Sequence, residues 1–474
     1  MKKFILTLSI IVTMITQGFS THLMGGEILA QHAGGNDYDI LLTIYRDTIG
    51  IYADTVQTFD ILDASGNTIA TFISAYNPAA FHPVFGLPQG GLLPLTPYGI
   101  EVYFYSATIT LPGAGEYTIT WDNCCRNAAI QNLPAPLNNS MQLFTTVTND
   151  TNVSNSTPYF MVRPVIHLPV NTPWQYNPLP FDPDGDSLSW HLGNPNDVGG
   201  IPIPGYTYPA SDPSGPISID SITGTISWTA STLGNWVYTV VCEEFRNGVK
   251  IGEIRRDMQF VVMPAGSMPG FSNIGTIPIQ NGYPTWRINE GQNSELRLMA
   301  TDNNSSNTIT FEAYGESFLL ASNPATYTSE TLLGTNDIEA VINWAPTSNE
   351  VRSAPYLMVL RLMNGTFTFD ETIVVKVQSA GTSIKDKNNY ALGEIYPNPS
   401  NNLINIPLTL NENGDVTIRI FNNYGQVVKE ETSNFSAGNI NVLMQIYLLP
   451  AGQYYVTVHQ NNKPLGVKTL SIVK

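Results

Sequence analysis

The segment Asp182-Pro183-Asp184-Gly185-Asp186 holds the residue types and spacing that best suit a chemical site. Carboxylates at alternate positions of a tight turn project hard oxygen atoms to one side, and Gly185 lets the backbone curl, a set that suits Ca²⁺ at ~2.3–2.6 Å. It is not an EF-hand, because the glycine offset differs and the distal bidentate Glu is missing. The competing expectation is a solvated turn in which the Asp side chains cap neighbouring N–H groups. Asp182, Asp184 and Asp186 are therefore the candidate metal ligands, and Ca²⁺ is the one cofactor that the sequence suggests. A related loop, Asp302-Asn303-Asn304-Ser305, has lost two carboxylates and is the weaker candidate.

The remaining reactive residue types point away from catalysis. His22, His32, His82, His167, His191 and His459 are scattered, with no two at zinc-ligand spacing. There is no Gly-x-Ser-x-Gly elbow, phosphate loop or His-Glu-x-x-His motif. A glycosidase-style carboxylate pair depends on a separation that sequence does not fix. The expectation is a non-enzymatic protein. Trp174, Trp190, Trp228, Trp236, Trp286 and Trp344 could stack on sugar rings, yet Trp228 and Trp344 occupy equivalent places in a repeat, which favours a core role. Cys124, Cys125 and Cys242 are the three cysteines and the disulfide candidates. A bond between adjacent cysteines closes a small strained ring, so Cys242 is expected to pair with Cys124 or Cys125, leaving one thiol over.

Strands must position these residues. The chain of 474 residues is too long for one core. Gly 38, Pro 33, Tyr 23 and Phe 19, with only 12% charged residues, suit short strands joined by Gly/Pro/Asn turns, and no long run has helical periodicity. The fold class expected is all-β. Gly26 to His32 and Tyr38 to Arg46 flank Gly34-Gly35-Asn36-Asp37 as a hairpin, and Thr58 to Asp63 with Thr68 to Ile73 makes a second. Beyond Pro158 the chain repeats: the acidic loop, then Ile226-Ser227-Trp228, then Trp236 to Val241 recur as Asp302 to Ser305, Ile342-Asn343-Trp344 and Tyr356 to Arg361. Trp228 and Trp344 are 116 residues apart, which suits one β-sandwich per repeat. The domains expected are an N-terminal β domain over 21–157, sandwiches over 158–263 and 264–379, a polar linker over 380–394, and a small β module over 395–474.

That last module carries a resemblance. Tyr396-Pro397-Asn398-Pro399, Val416 to Asn422, Tyr424-Gly425-Gln426-Val427-Val428 and Leu449 to Val456 occur in order, with strand-like runs at Leu403 to Leu410, Val416 to Phe421, Gln453 to His459 and Val467 to Val473. The tail resembles the C-terminal type A sorting domain of Bacteroidetes proteins exported by the type IX secretion system. The resemblance implies an export address read by an outer-membrane translocon. Thr21 to Ile28, Leu42 to Asp47, Cys124-Cys125-Arg126-Asn127, Asp182 to Leu188 and Glu244 to Gly248 look like a family of Bacteroidetes surface proteins associated with gliding motility and adhesion. The family's cysteine places hold Thr48 and, approximately, His167 here, so its disulfide pattern does not carry over. The two sandwiches resemble cadherin-like or Ig-like modules. Four triplets, at Asp47, Asp54, Asp186 and Asp220, resemble the O-glycosylation sequon of that phylum.

The first residues fit export. Met1-Lys2-Lys3, an apolar run from Phe4 to Ile15, and Gly18-Phe19-Ser20 read as a signal peptide over 1–20, and no other stretch is apolar enough to cross a bilayer. A formal net charge of −17 repels nucleic-acid backbones and anionic lipid. The function expected is a secreted or cell-surface binding and adhesion protein. Its partners would be the type IX translocon and a surface glycan or protein ligand. The alternatives are an accessory polysaccharide-binding or polysaccharide-degrading protein, or a structural part of a motility or matrix layer.

Overall fold

The computed structural model describes residues 23–50, 52–93, 99–150, 155–164, 167–209, 216–379, 391–461 and 463–474. The expected signal peptide and most of the expected linker lie outside them. Two compact units arise, 1–380 and 381–474. Among the described residues the regular elements are strands and short 3₁₀ turns, so the fold is all-β.

In the first unit the expected hairpin forms from Leu23–Gly34 and Asp37–Asp47, with Ile28 opposite Leu42. Val56–Asp63 pairs with Thr68–Ala75 around the Ser65-Gly66-Asn67 turn. Both belong to a sheet that does not stop at residue 157. The long strand Val249–Met263, from the first sandwich, bonds Leu23–Gly34 through Gly25 and Gly26 and bonds Met141–Asn149 through Gly252 to Ile254. The expected boundary between an N-terminal domain and a separate first sandwich is thus bridged by a shared strand. The reason is steric as well as hydrophobic. A Cβ on Gly25 would lie 2.2 Å from the Asp257 carbonyl oxygen on Val249–Met263, and one on Gly26 would lie 2.5 Å from the Thr43 carbonyl oxygen on Asp37–Asp47, so glycine at both places lets the three strands meet.

The repeat is built twice in the same way. Each copy has an early strand parallel to its last one, His167–Pro169 beside Val261 to Met263 and Tyr283–Asn289 beside Val374 to Gln378. Each ends in an antiparallel hairpin, Gly234–Arg246 with Val249–Met263 and Tyr356–Met363 with Thr368–Gln378. Trp228 and Trp344 are buried in both cores, as are Trp174, Trp190 and Trp236. With those rings inside, they form no sugar-stacking platform.

Buried ion pairs join the modules of this unit. Arg256 donates to both oxygens of Glu27 at 3.0 and 2.8 Å and to Tyr176, while Tyr45 also donates to Glu27. Arg361 grips Asp370 at 2.8 and 2.9 Å and donates to the Arg163 carbonyl oxygen, and Trp174 donates to Thr368 across the repeats. Bidentate guanidinium pairs of this kind fix relative orientation as well as supplying energy.

The second unit is a small sandwich. Leu403–Leu410 alternates, sending Ile404, Ile406, Leu408 and Leu410 inward against Val416, Ile418, Ile420, Val456 and Val458. The four expected strand runs form, and three more appear at Ala391–Leu392, Val427–Phe435 and Gly438–Gln445.

Candidate metal centre

Asp182 sits at the end of a two-residue strand, Pro180–Phe181, and Ser187–Gly193 begins after the turn, so the acidic loop is a strand-to-strand connection. Its geometry is organised by Asp182. One carboxylate oxygen, Oδ1, accepts the backbone N–H of Asp184 and of Asp186, each at 2.9 Å, and Gly185 takes a φ of +81° to close the curl. Asp182 therefore does cap its own turn.

The other oxygen faces elsewhere. Asp182 Oδ2 is buried without a hydrogen-bond partner, and so is Oε1 of Glu244. Glu244 lies on Gly234–Arg246, where Leu188 is its cross-strand neighbour, and it is fully buried. Carboxylate oxygens of Asp182, Asp184, Asp186 and Glu244 all lie within 4.8 Å of one another. The sequence named three of these ligands and missed the fourth. Its signal was there: Tyr238, Val240 and Cys242 alternate inward on this strand, and Glu244 is the next inward position.

Neighbouring donors cover the outer oxygens. Asn155 donates to Glu244 Oε2 at 3.1 Å, the Ser156 N–H donates to Asp184 Oδ2 at 2.5 Å, and Arg246 Nε donates to Asp186 Oδ1 at 2.7 Å. Arg246 also reaches Asn155 Oδ1 at 3.1 Å. Residues 155–156 follow the N-terminal strands, so the centre gathers groups from three parts of the chain. Gly252 leaves the room, since a Cβ there would lie 2.3 Å from Glu244 Oε2.

The electrostatics follow from burial and crowding. Burial raises the Glu244 carboxyl far above the usual range, with Asp182 adding to the rise and Asn155 opposing it. Asp182 is raised for the same first reason. Burial, then Asp184 and Glu244, push the Tyr38 hydroxyl up to about 12. The Cys242 thiol is also raised, by burial and then by Glu244 and Asp182, so it is an inert core group.

The related loop in the second sandwich is satisfied differently. Asp302 Oδ1 accepts the Asn304 N–H at 2.8 Å, and Oδ2 accepts amide N–H groups of Asn364 and Asn307 at 2.6 and 3.2 Å. Burial opposes ionisation there, but the bonds from Asn364, Ser267, Asn304 and Asn307 together hold Asp302 below the usual range.

The expected cysteine pairing is corrected. Cys124 and Cys125 are bonded to each other, and Cys242 is free. Cys242 points into the first sandwich core, whereas Cys124 is exposed on the segment after Gly115–Asn123, so the two environments do not meet.

The second unit decides the chain's destination. Residues 394–473 match the family described as the secretion system C-terminal sorting domain. The chain is a type IX secretion substrate. It is exported to the cell surface or the extracellular space, and no described helix is long and apolar enough to cross a membrane. No curated protein matches it. Similar solved structures include a chimeric titin Z1Z2-Z1Z2 tandem at 12% identity, covering 47% of this chain and 99% of that one with a TM-score of 0.17. Domains 5–6 of the S-layer protein SbsC are 13% identical, covering 44% and 99%, with a TM-score of 0.15. The native conformation of Escherichia coli alpha-2-macroglobulin is 8% identical, covering 97% of this chain and 30% of that one, with a TM-score of 0.20. The fold assignment rests on the strand pairing itself.

Proposed function

We propose that the exported body is a non-enzymatic binding and adhesion protein at the cell surface. The observation that supports this reading is a recess of about 950 Å³ between the N-terminal sheet and the second sandwich, lined by Leu41, Val84, Phe104 and Tyr314 and rimmed by Phe81 and Leu319. Phe81 and Leu319 are exposed at 66% and 62%, so apolar surface is held out to solvent on both walls. A mostly apolar recess with a few polar groups is the common form of a ligand site. Arg163 with Glu312 and Arg361 with Asp370 brace the wall that carries Tyr314, which keeps the recess preorganised.

Binding of the purified chain to arrays of surface glycans and surface proteins tests the reading. We expect a ligand whose capture falls by roughly thirtyfold in Phe81→Ala with Leu319→Ala, since each truncation of a contact side chain costs on the order of 1 kcal/mol and the two together about 2. A chain that captures nothing, or a double variant that binds as well as the parent, would refute it.

A further inference from the structure

The acidic turn and Glu244 form a centre whose charges do not balance. Four carboxylates face one guanidinium, Arg246, which is engaged with Asp186. Two of the oxygens, on Asp182 and Glu244, are buried and accept nothing. A buried ionised carboxylate without a donor or a counter-charge is strongly unfavourable, so something must lie between these two side chains. Either a proton is shared or a cation is held.

The second sandwich shows how the same loop is built when no cation is needed. Asn364 stands eight residues beyond Tyr356, as Glu244 stands eight beyond Trp236 at the matching place of the first repeat. In that copy amide N–H groups donate to the lone Asp302 carboxylate and satisfy it. In the first copy the matching position carries another acceptor. Replacing a donor by an acceptor at that place removes the internal solution and leaves space for a positive ion.

We propose that Asp182, Asp184, Asp186 and Glu244 bind one Ca²⁺ ion, which clamps the acidic turn to the end of Gly234–Arg246. Size favours calcium: oxygens on opposite sides of Ca²⁺ are about 4.6–5.2 Å apart and those around Mg²⁺ about 4.0–4.2 Å, from their usual bond lengths. The cluster spans up to 4.8 Å. Asp184 is the exposed member, so water can complete the shell from that side. Asn155 and Ser156 hold the outer oxygens of Glu244 and Asp184, so the ion also steadies the segment that leads from the N-terminal strands.

The test uses the full chain, stripped with chelator and titrated with Ca²⁺ or Mg²⁺ by calorimetry, with melting curves alongside. We expect one Ca²⁺ per chain and a melting temperature that climbs with calcium concentration, because the ion binds only the folded state. Glu244→Gln should weaken calcium binding by roughly tenfold or more. In chelator the same variant should melt no lower than the parent, since it removes one of the crowded charges. Asp302→Asn should leave calcium affinity unchanged. Several results would overturn the proposal: no calcium-dependent heat or shift at millimolar calcium, an equal response to Mg²⁺, or loss of the shift in Asp302→Asn. A Glu244→Gln variant that keeps the full calcium shift would remove Glu244 from the ligand set and overturn the proposal as well.

Discussion

His82 shows how much a single buried side chain can impose on the solution behaviour of this protein. Its Nδ1 accepts the N–H groups of Val84 and Phe85 at 3.2 and 3.1 Å, which leaves Nε2 to donate to Thr43 Oγ1 at 2.9 Å. That tautomer is neutral. Burial, and then the Arg256 charge, lower its pKa to about 3, and burial lowers His167 to about 4. The unfolded chain therefore takes up these protons near pH 6.5 while the folded chain refuses them, so stability is full above that pH and falls as acid is added through the window down to about 3. Each histidine should contribute a loss of ~1 kcal/mol per pH unit, down to about 3 for His82 and about 4 for His167. Urea melts between pH 7 and 4 measure the slope, and His82→Asn, which keeps an acceptor for the two N–H groups, should flatten it.

At the scale of elements, the meeting of Leu23–Gly34, Asp37–Asp47 and Val249–Met263 is the junction on which the first unit depends. Gly26→Ala places a methyl group 2.5 Å from a backbone oxygen that cannot rotate away, so strands must separate. Overpacking of this kind costs ~1–3 kcal/mol. Gly275, around which a Cβ would meet nothing within 4 Å, is the control, and its alanine variant should stay within ~0.5 kcal/mol of the parent. Denaturant midpoints compare the two; an unchanged Gly26→Ala midpoint would mean that the junction yields.

For the whole molecule, the division into 1–380 and 381–474 carries the main consequence. The sorting unit has its own core of Ile404, Ile406, Ile418, Ile420, Val456 and Val458, and the body has three larger clusters. Neither needs the other's side chains to fill a core. Deleting 394–474 should leave the body folded and held in the periplasm, because the matched export address is gone. Cell fractionation reads this directly, and a truncated chain found in the medium or on the surface would contradict it.

Local chemistry in the sequence was enough for the all-β class, both N-terminal hairpins, the repeat and the export tail. Alternation of apolar residues and Gly/Asn turns act over a few positions, and the tail's motifs are contiguous. Val427–Phe435 escaped notice because its run Lys429-Glu430-Glu431-Thr432-Ser433-Asn434 is polar and mostly exposed, and only pairing with Gly414–Phe421 makes it a strand. The shared strand Val249–Met263 was likewise out of reach, since no local pattern says that residues more than two hundred positions apart will bond. The cysteine pairing went the other way for a similar reason: ring strain is a local argument, while the burial of Cys242 is a tertiary one. The acidic turn was legible as three carboxylates in five residues. Glu244, Asn155 and Arg246 joined it only in three dimensions, because a cation site is defined by which oxygens converge and which lack donors, and the packing of separate strands alone decides both.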